Sequence, residues 1–409
     1  MRVLASGLLV LLLPATAARA DGPAATADSR TFLRAAKLLP KYLWETRPKR
    51  SAKAKAAWAK NGYDDLRLDK KQFRKIAAVL ADGSPFTHEK RRGKTLQVPT
   101  GVGDETVLVH TIITTKYKPG CRKSFPILIT MHGGPAGSKS RAKEGANQQY
   151  SAWQSHAHSF GGIVAAPAID GDKTGEREWA IVRNIIAALD ELYNVDRNRV
   201  LLTGHSWGGI LTWQLGPRHA QHFSLLAPFV CAVNPGREHL ANCRNLPIYS
   251  VQGKRDNKWI VETGRERIEV LKALGYTYEY REMPGGHDQF GGEFPKILEW
   301  FQKHPRNLFA KEVVRTRRAD GELWYWVRTE ATEYRAKIID RHTIDIDCEG
   351  EVEVFLSDEM LDLDKPIVIR RAGVGVFEGR VDRRLGFLLD HIQETGDRTR
   401  AFAASVVID

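Results

Sequence analysis

The residues of this 409-residue chain best arranged to do chemistry are Gly204-His205-Ser206-Trp207-Gly208. A serine with a glycine two places to either side suits a sharp strand-to-helix turn that pushes the hydroxyl into a cleft. The glycines matter because such a turn brings neighbouring backbone too close for a Cβ. Residues 199–203 read as a short buried strand and residues 210–215 continue as a helix, so the serine falls between the two. A hydroxyl is a weak nucleophile until a base takes its proton, so a histidine and an orienting carboxylate are the next requirement.

Between Ser206 and His287 the only aspartate is Asp256, which follows the apolar run 247–251 and so lies near the end of a predicted strand. His287 sits in Pro284-Gly285-Gly286-His287-Asp288, a loop after the alternating strand 277–282 and before a predicted helix over 294–304. Asp288 competes with Asp256 for the carboxylate role, although adjacent side chains point different ways. His219, His222 and His239 also follow the serine, but none lies in a glycine-rich loop after a strand. Attack on a carbonyl leaves negative charge on oxygen, which fixed N–H donors in a dry site stabilise. Residues 125–131 read as a central strand running into His132-Gly133-Gly134-Pro135, where glycine lets the backbone approach a substrate. Proline has no N–H, so the expected donors are Gly133 or Gly134 together with Trp207. The plain alternatives are an inert surface turn at Ser206 and an ordinary turn at residues 132–135.

Donor loop, serine, acid and histidine in this order resemble the α/β-hydrolase superfamily, in its secreted-esterase and prolyl-oligopeptidase-like branch. The resemblance covers residues 106–304 and is closest where Val195-Asp196-Arg197-Asn198-Arg199-Val200 leads into Gly204-His205-Ser206-Trp207-Gly208-Gly209. It implies an α/β fold with a doubly wound, mostly parallel sheet carrying Ser206, Asp256 and His287 on loops at its C-terminal edge. It also implies acyl transfer to water: Ser206 attacks an ester carbonyl, His287 takes and returns the proton, and Asp256 holds the imidazole in its tautomer. Gly133, Gly134 and Trp207 would hold the oxyanion, and Gly204 and Gly208 would shape the turn. No metal or organic cofactor is implied. The scaffold hosts many chemistries, so it selects no substrate. The region ahead of the hydrolase-like segment is too short for the propeller of prolyl oligopeptidases. His132-Gly133-Gly134-Pro135 and Ser206-Trp207 also resemble proline iminopeptidases, which usually have glycine where this chain has Ala136, and a helical cap for which residues 207–256 leave no room. The expectation is a carboxylic-ester hydrolase acting on a small-molecule or polymeric ester. The alternatives are a serine peptidase and a catalytically silent, polymer-binding relative.

Residues 1–20 have the pattern of an export signal: Met1-Arg2, an apolar run 3–13 too short to span a bilayer, and Ala18-Arg19-Ala20 ahead of a cut after Ala20. No cysteine follows the apolar run and no other run approaches ~20 apolar residues, so neither a lipid anchor nor a membrane span is expected. In an oxidising compartment Cys121, Cys231, Cys243 and Cys348 allow three pairings, of which Cys231 with Cys243 closes a short loop; buried free thiols are the alternative. The 62 basic residues against 49 acidic give a formal +13, which loss of Arg2 and Arg19 lowers by two. That charge favours anionic surfaces. No nucleic-acid motif accompanies it, and an acidic polysaccharide or envelope surface fits an exported enzyme better.

The length exceeds one ordinary core. Residues 21–95 are expected to form a helical extension, with Phe32, Ala35, Ala36 and Leu39, then Phe73, Ile76, Ala77 and Leu80, at helical spacing. Residues 96–305 form the catalytic unit, and 306–409 a β-rich accessory unit with predicted strands at 323–327, 335–339, 343–347, 351–356, 367–370 and 374–381. Trp324, Tyr325 and Trp326 would serve as a sugar-stacking platform or, more plainly, pack in an interface.

Overall fold

The computed structural model describes residues 26–45, 47–84, 95–120, 123–134, 137–171, 175–233, 240–317 and 322–409. The expected export signal, Cys121, Pro135 and His239 lie outside the described residues. Among the described residues no helix is long and apolar enough to cross a membrane.

The long apolar runs of the sequence become one eight-stranded sheet. Its strands are β1 (Thr95–Pro99), β2 (Thr106–Ile113), β3 (Phe125–Met131), β4 (Ile163–Pro167), β5 (Val195–His205), β6 (Leu225–Phe229), β7 (Ile248–Gly253) and β8 (Tyr278–Met283). They lie in the order β1-β2-β4-β3-β5-β6-β7-β8. Strand β2 runs antiparallel to both neighbours, and every pairing from β4 to β8 is parallel. This is the doubly wound, mostly parallel sheet of the α/β-hydrolase fold. Strands β4, β6 and β7 are buried at every position, as expected where helices cover both faces.

Alternation along the strands sorts side chains between two cores. Leu128, Leu201, Leu225 and Ala227 face helices α4 (Lys139–Phe160) and α8 (Phe294–Lys303), where the Trp153 and Phe294 rings stack at 3.9 Å. Ile127, Ile129, Met131, Val200 and Leu202 face the other way, onto α5 (Glu176–Tyr193), α6 (Trp207–Arg218) and α7 (Lys258–Ala273). The chain leaves β3 for β4 on one side and returns to β5 on the other, so the topological switch point falls at the carboxyl ends of β3 and β5.

The second core continues into both flanking regions. On the N-terminal side stand α1 (Ser29–Trp44), α2 (Pro48–Lys60) and α3 (Lys70–Ala81). Asp28 accepts from the N–H groups of Arg30 and Thr31 to start α1, and Asp69 with Gln72 forms a capping box on α3. The short strand Arg67–Leu68 pairs antiparallel with Arg383–Arg384, tying these helices to the far end of the chain. The C-terminal region holds a five-stranded sheet, a three-stranded sheet and the helix α9 (Leu385–Thr395), which sequence periodicity did not reveal. Around the start of β5, Arg398 pairs with Asp190 and donates to Val195 O, while Arg306 lies 2.9 Å from Asp397. Burial opposes ionisation of Asp397, but Arg306 and Arg400 outweigh it and hold the carboxyl well below its usual range.

Two expectations are corrected. Residues 323–327 are not a strand: Trp324 and Val327 close a tight turn with Tyr325 at φ 57°, and the following strand is Val327–Thr329. All three aromatic residues are at most 1% exposed, and the indole N–H groups donate to Val314 O and Ala310 O, so they are packing elements and no stacking platform. Cys231 and Cys243 are not bonded to each other, and Cys231 and Cys348 are free thiols. The Cys231 side chain is turned onto Gly209 of α6, and burial pushes its thiol up to about 12.

His391 sits in a cage of Phe355, Phe387 and Phe402, with neither ring nitrogen hydrogen-bonded. Burial first, then the positive charges of Arg400 and Arg328 against the opposing Asp397, hold its pKa down to about 3. A histidine in the unfolded chain titrates near 6.5, so protonation favours unfolding as pH falls through that value. Between pH 7 and pH 5 this one residue should remove about 2 kcal/mol of stability. Urea unfolding at both pH values should show His391→Leu losing about 2 kcal/mol less than the parent over the interval; equal losses would refute the account.

Candidate active site

Ser206 occupies the single-residue turn between β5 and α6 at φ 55°, ψ −114°, a conformation that strains any residue with a Cβ. Two close approaches hold it there. A Cβ on Gly204 would fall 2.3 Å from Gly208 O, and one on Gly208 would fall 2.2 Å from Met131 O. With hydrogen in those positions α6 starts in contact with the ends of β3 and β5. The Ser206 N–H donates to Phe229 O at 3.0 Å, pinning the turn to the end of β6.

His287 and Asp256 reach this turn from the loops after β8 and β7. The two loops are joined by their backbones, since Lys254 N–H donates to Met283 O and Arg255 N–H to Gly285 O. A Cβ on Gly253 would fall 1.9 Å from Gly286 O, so no other residue lets the loops come so close. His287 Nε2 lies 2.7 Å from Ser206 Oγ, and Nδ1 lies 2.8 Å from Asp256 Oδ2. The second Asp256 oxygen accepts from Asn257 N–H at 2.7 Å, next to the N-cap of α7. An ionised carboxylate only accepts, so the imidazole hydrogen is on Nδ1 and the Nε2 lone pair faces the Ser206 hydroxyl. In such a row a hydroxyl proton has a base to move to, and the resulting imidazolium has a carboxylate beside it.

The competing residues lie otherwise. Asp288 accepts from Gly286 N–H at 3.1 Å, bracing the loop that carries His287. His219 stacks on Trp179 at 3.7 Å, and burial holds the neighbouring His222 well below its usual range. Gly133 does approach the serine: a Cβ there would lie 3.3 Å from Ser206 Cβ. Gly134 has φ 73° and open space around its missing Cβ, so it serves conformation more than clearance. The N–H of Trp207 belongs to the first turn of α6, where a helix supplies no acceptor.

Two neighbours escaped the sequence reading. His132 is 2% exposed, and its ring nitrogens lie 3.0 Å from Gly133 O and 2.8 Å from Ile169 O, bridging the glycine loop and the loop after β4. Its place between a strand and two glycines was the available signal. His205 meets His287 edge-on at 5.3 Å; burial first, then the nearby His287, lower its pKa, which keeps a second cation away from the imidazole.

No family model matches the chain, and no curated protein matches it. Among solved structures it is similar to a thermostable esterase, 20% identical over 52% of this chain and 63% of that one, with a TM-score of 0.44. It is likewise similar to an S-formylglutathione hydrolase from Staphylococcus aureus, 13% identical over 52% of this chain and 98% of that one, TM-score 0.42. A third is the acylaminoacyl peptidase of Pyrococcus horikoshii, 14% identical over 53% of this chain and 42% of that one, TM-score 0.41.

The strain at Ser206 is open to measurement. Ser206→Gly removes the Cβ that the turn resists, while Ser206→Ala keeps it, so the glycine variant should be the more stable by about 1 kcal/mol in urea unfolding. An alanine variant of equal or greater stability would show that the turn is relaxed.

Proposed function

We propose that this protein is an exported serine hydrolase that cleaves carboxylic esters through an acyl-enzyme. The observation that carries the reading is the unbroken line Ser206 Oγ, His287, Asp256, with contacts of 2.7 and 2.8 Å, at the carboxyl end of a parallel sheet. Ser206 is the nucleophile, His287 the general base and acid, and Asp256 the group that orients it. As the Ser206 oxygen bonds to the ester carbon, its proton passes to His287 Nε2, and the carbonyl oxygen becomes an anion facing the N–H groups of Trp207 and of Gly133 or Gly134. Collapse of this adduct breaks the bond to the alcohol, which leaves with the proton from His287. Water then repeats the steps on the acyl-enzyme, with His287 taking its proton, and releases the carboxylic acid and the serine.

Export rests on the charged, apolar and small-residue pattern of residues 1–20. The division into a helical extension (21–95), a catalytic unit (96–305) and an accessory unit (306–409) belongs to the same reading. Esters are preferred to peptides because residues 207–256 leave no room for a helical cap.

Hydrolysis of p-nitrophenyl acetate and longer esters tests it directly. The parent should turn these over; Ser206→Ala should lower kcat/KM by about 10⁴-fold or more, and Asp256→Asn by a similar factor, by leaving the imidazole in the wrong tautomer. A parent inert towards every acyl length and pH would leave a silent, polymer-binding relative as the reading. Faster cleavage of proline-containing amides than of esters would make it a peptidase.

A further inference from the structure

The positive charge of this protein is not evenly spread once folded. Between Ser29 and Lys60 the only acidic residue is Glu45, and Arg47 holds it at 2.6 Å. On α1 the buried residues are Phe32, Ala35 and Leu39. Arg30, Arg34, Lys37 and Lys41, all exposed, recur at intervals of four, three and four and so form one stripe on the opposite side. On α2 the buried residues are Ala54 and Trp58, and Lys49, Lys53 and Lys60 line the far side in the same way. The two helices pack against each other as a hairpin, and Asp28, the N-cap of α1, is the acidic group next to Arg30; among the described residues none of the seven stripe residues enters an ion pair.

Like charges four residues apart destabilise a helix, and solubility alone does not call for them. Other helices of the same protein solve that problem with mixed signs: Lys258 with Glu262 on α7, and Glu299 with Lys303 on α8. The hairpin forgoes such pairs.

We infer that the exposed face of the α1–α2 hairpin is a docking surface for a linear polymer of carboxylates, an acidic polysaccharide. Four charges along α1 span about 16 Å, one every ~5 Å on average, which suits a chain with one carboxylate on each sugar. The exposed methyl groups of Ala52, Ala56 and Ala59 and the aliphatic stems of the lysines give a low, apolar floor for sugar rings. A lipid surface fits less well, because both apolar faces are spent in the core and Leu33 is the one large hydrophobic residue the hairpin exposes. Single-stranded nucleic acid would want aromatic rings to stack on, and Trp58 is buried with Tyr42 stacked against it at 4.4 Å. Binding here is independent of any reaction at Ser206.

The test uses the full chain on immobilised polygalacturonate, with neutral dextran, duplex DNA and phosphatidylserine vesicles as competitors, for the parent, Ser206→Ala, and the quadruple variant Arg34→Gln, Lys37→Gln, Lys49→Gln, Lys53→Gln. The parent and Ser206→Ala should bind equally, with Kd rising about tenfold or more between 50 and 200 mM salt as counterions compete. The quadruple variant should bind about tenfold or more weakly while unfolding at the same or a higher temperature, since its like-charge pairs are gone. The inference is overturned if the parent does not bind, if the variant binds as tightly, or if DNA or the vesicles displace the protein at a lower charge concentration than free polygalacturonate does. Because Ser206→Ala is carried through, loss of ester hydrolysis and loss of polymer binding are read separately.

Discussion

The placing of Ser206 depends on how close α6 comes to the ends of β3 and β5. That distance is set by two hydrogens, those on Gly204 and Gly208, because a methyl group at either place would sit far inside van der Waals contact distance of a carbonyl oxygen. With the helix drawn in, residue 206 has no relaxed conformation left and its side chain projects from the tip of the turn. The anchoring hydrogen bond to Phe229 O then transmits the position of β6 to that side chain, so the hydroxyl is placed by the sheet itself.

The same logic governs the other two members of the row. Asp256 and His287 stand on separate loops, yet the backbones of those loops are hydrogen-bonded to each other, and Gly253 against Gly286 removes the last obstacle to their contact. The carboxylate-to-imidazole distance is therefore a property of main chain, with the Asp288 side chain adding a brace. Side chains held in this manner need little rearrangement before a proton moves.

Much of this was legible in the sequence, for identifiable reasons. Strands buried on both faces write themselves as apolar runs, and glycines forced by close approach mark the turns at 204–208 and 285–286. The meeting of Ser206, Asp256 and His287 was readable from their places after strands. What escaped depends on partners remote in sequence. The aromatic-rich run at 323–327 has strand propensity, but its indoles find carbonyl partners better as a turn. Cys231 and Cys243 bracket a short loop, yet Cys231 turns its sulfur onto α6. The two-residue pairing of Arg67–Leu68 with Arg383–Arg384 has no local signal. Nor does the bridging by His132, which needs Gly145 on α4 to make room for its ring.

That last pairing has a bearing on assembly. Among the described residues the strand at residue 67 pairs with the strand at residue 384, and Ala81 O accepts from Arg398, so the α1–α3 region rests on segments 317 positions further along the chain. Contacts between residues so far apart in sequence form only after a long loop has closed, so the seating of α1–α3 on the C-terminal region is a high-contact-order step.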